Sequence, residues 1–451
     1  MEFPKHIFRA YDIRGIFGKD LTPEVMLRLG LSLGTVLNGT GKVVVGRDVR
    51  TSGSALTTAI SSGIVSTGCD VNDVGVAPIG MISFATEILK GDAGAAVEAS
   101  HNPPDWNGLK LLTKGGFYSK ELDEKVRKIF WDGNFVRAEW KNVGKIERVD
   151  VKNDYIKFIE KKIKIDKDLK VGIDCKYGST SVVAPELFRV LGCKVFSIND
   201  RPDGTFPAGT PEPKPDNLGD IVKLVRKEKL DMGIAYDGDG DRLVIIDDKG
   251  NILPPELVAV FLMKHILKGK SGEKIIANVE CSSIVDDVAK NFNCKVVRVR
   301  VGHFFILDAL KRERGILGVE KSGHFSLPFL REFDDAILIS AKIAELVSKL
   351  GVSLSEYLAG VPQYAFRRIA ISCPDEKKFV VVDRLKEKLR ERYKVDLTDG
   401  IKVMFDDGWF LIRPSNTESL IRLSVEAKTE KRLNELSKLG EELIRREMEA
   451  C

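Results

Sequence analysis

Glutamine occurs once in 451 residues, at Gln363, and histidine only five times. Glu, Lys and Arg are plentiful, a bias shared with heat-adapted proteins, which avoid deamidation-prone amides and use ion pairs. No charge of one sign dominates: 71 Lys and Arg against 66 Asp and Glu leave a net +5. That excess is too small to argue for nucleic acid or a membrane as partner. No run of about 18 apolar residues exists, and the most apolar stretch, near Val258–Leu267, is interrupted by Lys264 and His265. The start, MEFPKHIFRAYDIRG, lacks the apolar core of an export signal. The seven cysteines form no C-x-x-C pair and no Cys/His zinc spacing, which excludes a disulfide framework and points to a reduced, cytoplasmic protein. What the chain does have is length. At about 150 residues per domain it holds three domains, or four if one is small.

A pattern repeats along it. An apolar β-rich run ending in a polar loop stands at KVVVGRDVR (42–50), LKVGIDCKYGS (169–179) and EKIIANVECSS (273–283). Each leads through a helix-compatible stretch to a short motif: GCDV (68–71), GCKV (192–195) or NCKV (293–296). A further apolar strand then runs into a loop: AAVEASHNPPDWNG (95–108), IAYDGDGDR (234–242) or ILGVEKSGH (316–324). This alternation predicts βαβ crossovers and mainly parallel, mixed sheets, with ligands at the carboxyl ends of the strands. The last segment breaks the pattern. Asp407-Gly408 between apolar runs predicts a hairpin, and Leu433, Leu436, Leu439 and Leu443–Ile444 predict a helix over 430–449. The expected class is therefore α/β: three similar domains, at 1–150, 151–252 and 253–366, followed by a smaller α+β domain at 367–451.

Four loops carry chemistry. In Asp237-Gly-Asp239-Gly-Asp241-Arg242, alternating glycines let three carboxylates converge, and such hard oxygen ligands favour Mg²⁺ or Ca²⁺ over zinc. An EF-hand is excluded because Arg242 stands where its sixth-position glycine belongs, and the flanks read as strands. Arg242 beside a metal suits a shared phosphate; the bland reading is a solvated acidic turn. Ala99-Ser100-His101-Asn102-Pro103-Pro104 puts a serine directly after a strand, where it needs a base or metal to act as a nucleophile. The G-x-S-x-G elbow of serine hydrolases is absent. Val319-Glu320-Lys321-Ser322-Gly323-His324 offers groups suited to sugar hydroxyls, and Arg413-Pro414-Ser415-Asn416-Thr417-Glu418 is a phosphate cradle by composition. Taken singly, the last two read equally well as ordinary polar loops.

Together with FRAYDIRG (8–15), GRDVRTSG (46–53) and TFPAGTPEPKPDNL (205–218), these loops are similar to the α-D-phosphohexomutase superfamily. Within it, the chain resembles the phosphomannomutase/phosphoglucomutase group. The resemblance implies four domains around a central cleft. It implies Ser100 as the phosphoserine, and Mg²⁺ held by Asp237, Asp239, Asp241 and a phosphate oxygen on Ser100, with Arg242 steadying that phosphate. Lys110 resembles the family's general acid/base position, with His101 in the same loop. Glu320 and Ser322, with His324 and His303, would bind the sugar. Arg413, Ser415, Asn416 and Thr417 would hold the non-reacting phosphate, while Tyr11, Arg14 and Arg300 are further cleft contacts. The substrates implied are hexose 1-phosphates and hexose 6-phosphates, with a hexose 1,6-bisphosphate as intermediate and activator.

In this reading Lys110 takes the proton of the attacking hydroxyl, provided neighbouring cations depress its pKa. If Glu320 and Ser322 hold O3 and O4, the C2 centre is unread and both glucose and mannose are accepted. The chain departs from the common pattern at Glu98, where Thr is frequent, and at Ser419 and Arg300. Lys321 adds a positive charge expected close to the substrate. The nearest rival is a phosphoglucosamine mutase, although FRAYDIRG, VGHFF and FDDA resemble the first group more closely. A phosphatase with an Asp nucleophile would place its D-x-D at the first core strand and lacks the Ser-His-Asn loop. A non-catalytic binding protein would be expected to have lost the serine or an acid.

Overall fold

The strand Lys42–Arg47 carries a valine run that is wholly buried, as befits a central parallel strand covered on both faces. It lies between Asp70–Val76 and Ala93–Val97, parallel to both. The same arrangement recurs with Lys170–Asp174 between Lys194–Ile198 and Met232–Tyr236. It recurs again with Lys274–Asn278 between Lys295–Val299 and Leu317–Val319. The register repeats too: Lys42 pairs with Asp70, Lys170 with Lys194, and Lys274 with Lys295. The three tetrapeptide motifs therefore mark one structural position, the start of the second strand, with Cys69, Cys193 and Cys294 buried beside it. Consequently the loops opening at Glu98, Asp237 and Glu320 all leave carboxyl ends of equivalent strands, where α/β folds bind ligands.

This computed structural model describes residues 3–9, 12–166, 168–415 and 419–450. The chain divides into two units: Met1–Pro254 with Gly323–Tyr357, and Pro255–Ser322 with Leu358–Cys451. The first unit holds two mixed sheets. One has six strands, in the order Ile13–Ile16, Trp106–Thr113, Ala93–Val97, Lys42–Arg47, Asp70–Val76, Ile146–Arg148. The other has five, in the order Ile252–Leu253, Leu243–Ile246, Met232–Tyr236, Lys170–Asp174, Lys194–Ile198. The helix Ala336–Ser348 also belongs to this unit. It is buried on nearly every side, as befits a predominantly apolar helix, with Lys342 and Glu345 paired to each other. Its N-cap Asp335 accepts from the Leu338 N–H and from the Tyr155 hydroxyl at 2.7 Å, and Ser340 meets the Tyr236 hydroxyl at 2.6 Å.

The second unit combines the third set of parallel strands with an antiparallel sheet. Its order is Ala365–Ser372, Leu420–Ala427, Gly408–Pro414, Ile401–Phe405, Lys394–Asp396. The expected hairpin is present, with Phe405 paired to Gly408 across Asp406–Asp407. Helices Asp375–Arg390 and Glu430–Glu449 cover one face through Val381, Leu385, Leu389, Leu433, Leu436 and Ile444. The other face mixes Trp409 and Leu411 with Lys402, Ser424 and Glu426 and packs on residues 279–283. There Lys402 donates to the Val279 carbonyl at 2.7 Å and lies 3.8 Å from the centre of the Trp409 ring. Trp409 in turn donates to Glu426 at 2.8 Å and Ser283 at 3.1 Å. Among the described residues no helix is long and apolar enough to cross a membrane.

Burial, helped by Arg298, pushes Lys402 down to about 7 from 10.5. Below that value the amine is protonated in folded and unfolded chain alike, and its burial counts fully against folding. As the pH rises, only the unfolded chain keeps the proton, so stability increases. Relative to a Lys402→Met variant, the native second unit should gain about 2 kcal/mol of unfolding free energy between about pH 7 and pH 9. Urea unfolding across that range measures it; a constant difference between the two proteins would show that Lys402 stays charged when buried.

Candidate active site

Ser100 follows the strand Ala93–Val97 with φ at +46°, a left-handed conformation costly for a residue with a Cβ. Arg50 holds it there. This arginine is 1% exposed, and its Nε bonds Asp48 at 2.9 Å. Its remaining N–H groups reach the carbonyls of Ser100 (3.1 Å), Asn102 (2.6 Å), Trp106 (3.1 Å) and Pro103. Asp48 also accepts from the Ala99 N–H, and Phe206 stacks on the guanidinium. Arg14 approaches from the neighbouring strand to bond Asn102 and the Ala99 carbonyl. The loop is thus fixed through its backbone, which leaves the serine hydroxyl to point elsewhere.

It points at the second sheet. Ser100 Oγ donates to Asp237 at 2.7 Å and lies 3.2 Å from His101 Nδ1. The approach is close because Gly238 has no side chain: a Cβ there would stand 2.6 Å from the Ser100 carbonyl oxygen. Gly240 turns the loop at φ +78°, and the N–H groups of Gly240 and Arg242 both donate to Asp237 at 3.1 Å. Asp237, Asp239 and Asp241 are buried, each offering an oxygen within 4.8 Å of the others. Lys110, from the strand Trp106–Thr113, places its ammonium 2.8 Å from Glu98, 2.9 Å from Asp239 and 3.0 Å from Asp241. His324 Nε2 is 3.2 Å from Asp241, and Arg242 pairs with Glu212 at 3.0 Å.

The protonation pattern follows from this crowding. Burial, then Asp239 and Asp241, push Asp237 well above the ordinary carboxylate range. Burial raises Asp239 and Asp241 too, and Asp241 raises Asp239 further, but the opposing groups together prevail and both lie low: Lys110 with hydrogen bonds from Glu98 and Asp237 at Asp239, and Lys110 with His324 and Arg242 at Asp241. Glu98 is driven up by burial and by Asp239, against the pull of Lys110. For Lys110, burial acts downward, yet Asp239, Asp241 and Glu98 together hold it well above its usual value. His101 is pushed down to about 2 by burial and by Arg242 and Arg14, so its imidazole is neutral.

In the second unit, Glu320 is buried and accepts from the Gly302 N–H (2.6 Å), Asn278 (3.2 Å) and Ser322 Oγ (2.9 Å). It thereby ties the loop 319–324 to the Val-Gly-His turn, where His303 opens the helix His303–Glu313. Arg300 donates to the Thr398 carbonyl at 3.0 Å. Arg413 ends the strand Gly408–Pro414 opposite Arg422, with its Nε buried and without a hydrogen-bond partner. The Ser415 N–H closes onto Leu420, and Glu280 balances this basic face by pairing with Arg368 at 2.7 Å and Ser424 at 2.5 Å.

Four domain families match the chain in order, described as phosphoglucomutase/phosphomannomutase alpha/beta/alpha domains I (residues 5–137), II (153–250) and III (254–364) and the C-terminal domain (369–439). The chain belongs to the phosphoglucomutase/phosphomannomutase family. This phosphohexomutase is 37% identical, over 97% of its own length and 98% of the other's, to a phosphoglucomutase/phosphomannomutase of Thermococcus kodakarensis. It is 39% identical, over the same shares, to a probable phosphoglucosamine mutase of Methanopyrus kandleri. Among solved structures it superposes with a TM-score of 0.90 on a family protein of Burkholderia thailandensis, at 28% identity over 99% and 98% of the two chains. The phosphohexomutase is therefore an isomerase acting on sugar phosphates.

Of the residues picked out in the sequence, Ser100, His101, Lys110, the three aspartates, Arg242, Arg14 and His324 gather in the first unit. Glu320, Ser322, His303, Arg300, Arg413 and Ser415 lie in the second. Tyr11, Asn416 and Thr417 fall outside the described residues. Two expectations need correction. Lys110 is surrounded by carboxylates rather than by depressing cations, because strand pairing sets it beside Ala96, two residues before Glu98. Lys321 does not bring its charge to a sugar: it pairs with Glu256 at 2.7 Å and stacks on Phe366. His324, grouped by resemblance with the sugar contacts, lies 3.2 Å from Asp241.

Arg50, Glu212, Glu280 and Arg368 were missed as site residues, although the motifs at 46–53 and 205–218 contain Arg50 and Glu212. The aspartate cluster fits a hard divalent cation: three acids share one buried volume, and Asp239 Oδ1 has no hydrogen-bond partner. Arg50→Met, which leaves Asp48 buried and unpaired, should cost about 3–5 kcal/mol. Calorimetric unfolding reads this, and a native-like transition would show that the serine loop holds itself.

Proposed function

We propose that this phosphohexomutase interconverts the 1- and 6-phosphates of mannose and glucose through a phosphoserine at Ser100. The carrying observation is Ser100 itself, held in a left-handed conformation by Arg50 with its hydroxyl on the aspartate cluster. The substrate's free hydroxyl oxygen attacks the phosphoserine phosphorus and the P–Oγ bond breaks, leaving a hexose 1,6-bisphosphate. That intermediate turns end for end and returns its other phosphate to Ser100, and added bisphosphate acts as activator.

Asp237, Asp239 and Asp241, with an oxygen of the phosphorylated serine, would hold Mg²⁺, which neutralises charge on the transferring group when bound. Arg242 exchanges Glu212 for that phosphate. Lys110 is the acid/base of this reading once its carboxylate partners release the ammonium, and neutral His101 stands beside the serine oxygen. Glu320 and Ser322 hold sugar hydroxyls, with His303 and Arg300 as further contacts. Arg413, Ser415, Asn416 and Thr417 hold the other phosphate; the buried, unpartnered Arg413 Nε supports that assignment. The domain limits given from sequence and a cytoplasmic setting belong to the same reading.

A second reading, phosphoglucosamine mutase, is favoured by the likeness to proteins so named. Initial rates with mannose, glucose and glucosamine 1-phosphates separate the two. Fast turnover of the neutral sugars with slow glucosamine supports the first, and the reverse order overturns it. Ser100→Ala should lower turnover on the order of 10⁴-fold or more while sugar-phosphate binding persists. Unchanged turnover would dismiss the serine as phosphoryl carrier.

A further inference from the structure

Lys110 and a divalent cation compete for the same carboxylates. The ammonium lies within 3.0 Å of Asp239 Oδ2 and Asp241 Oδ2, two of the three acids that converge in the buried loop. A cation drawing on those oxygens must displace it. Lys110 has little room to retreat, because its strand is paired on both sides, to Ile13–Ile16 and to Ala93–Val97, and its side chain is 4% exposed. An ammonium left buried beside a divalent cation with no counter-charge would be strongly unfavourable. One carboxylate touches it from outside the cluster: Glu98 Oε1, at 2.8 Å. Glu98 directly follows the adjacent strand Ala93–Val97, its N–H bonded to the Gly108 carbonyl, so both partners are anchored to one sheet.

We propose that Lys110 is a built-in counter-ion of the aspartate cluster, and that Glu98 is the positioning residue that receives its ammonium when a divalent cation takes Asp239 and Asp241. Glu98 touches neither sugar nor phosphate in this scheme. Lys110 offsets the cluster's charge without metal, and Glu98 lets that charge move over a short distance within the sheet when metal binds. The inference rests on reading the three aspartates as a metal site.

Mn²⁺ binding to the unphosphorylated full-length protein, followed by electron paramagnetic resonance and calorimetry, tests it without reference to turnover. Glu98→Gln should weaken Mn²⁺ binding about tenfold, the usual size for a group acting through a ligand's neighbour. In a Lys110→Met background the same change should weaken it by less than about twofold, since no ammonium then needs a home. Equal losses in both backgrounds would overturn the proposal, making Glu98 a direct ligand or a simple charge; no loss in either would also overturn it. Glu98→Asp, which keeps the charge but shortens its reach, should fall between native and Glu98→Gln, and serves if the amide variant does not fold. Mn²⁺ binding that is absent from the native protein, or indifferent to Asp239→Asn, would instead refute the metal reading, and the exchange with it.

Discussion

Three carboxylates cannot share a small dry volume unless positive charge comes to meet them. Each loses its hydration on burial and repels the other two at short range in a medium that screens poorly. In the first unit the compensating groups arrive from separate parts of the chain: the cations Lys110 from the first sheet and Arg242 from the loop itself, and the His324 imidazole from a segment far along the chain. The electrostatics of one loop thus couple the two sheets of the unit. Neither the aspartates nor Lys110 have a stable buried environment without the other.

Around this cluster the repeated architecture does something simple. Three copies of a strand trio present three loops at equivalent strand ends, and the loops then diverge in chemistry. The first is a strained turn clamped through its carbonyls. The second is a glycine-relieved curl of acids that fits beneath the first because Gly238 lets backbone meet backbone. The third is a carboxylate, Glu320, used as a cross-link between two turns. The serine loop is held through its carbonyls, whereas Asp237 and Glu320 accept backbone N–H groups and so help to hold their own loops.

Much of this was legible in the sequence because it is local. The hairpin at Asp407-Gly408 and the helix over 430–449 follow from turn chemistry and spacing. The threefold repeat follows from order, and the Asp-Gly alternation declares a convergence of oxygens. What could not be read depends on distance across the fold. Arg50 looks like one more charged residue until five acceptors are seen around it. Neighbouring cations were the proviso for Lys110 as acid/base, whereas its neighbours in space are acids, Glu98 beside its own sheet and Asp239 and Asp241 from the second. Lys321 seemed poised over substrate, yet Glu256, far earlier in the chain, had already claimed it.

The division of the chain also bears on how the protein is made. The first unit is not finished when its leading stretch, ending at Pro254, leaves the ribosome; it still lacks the segment Gly323–Tyr357. Until then Tyr155 and Tyr236 have no Asp335 or Ser340 to bond, and Asp241 has no His324. The nascent chain must therefore carry a half-built acidic pocket through a period of synthesis. In that interval Lys110, already present in the leading stretch, is the early guardian of the cluster's charge.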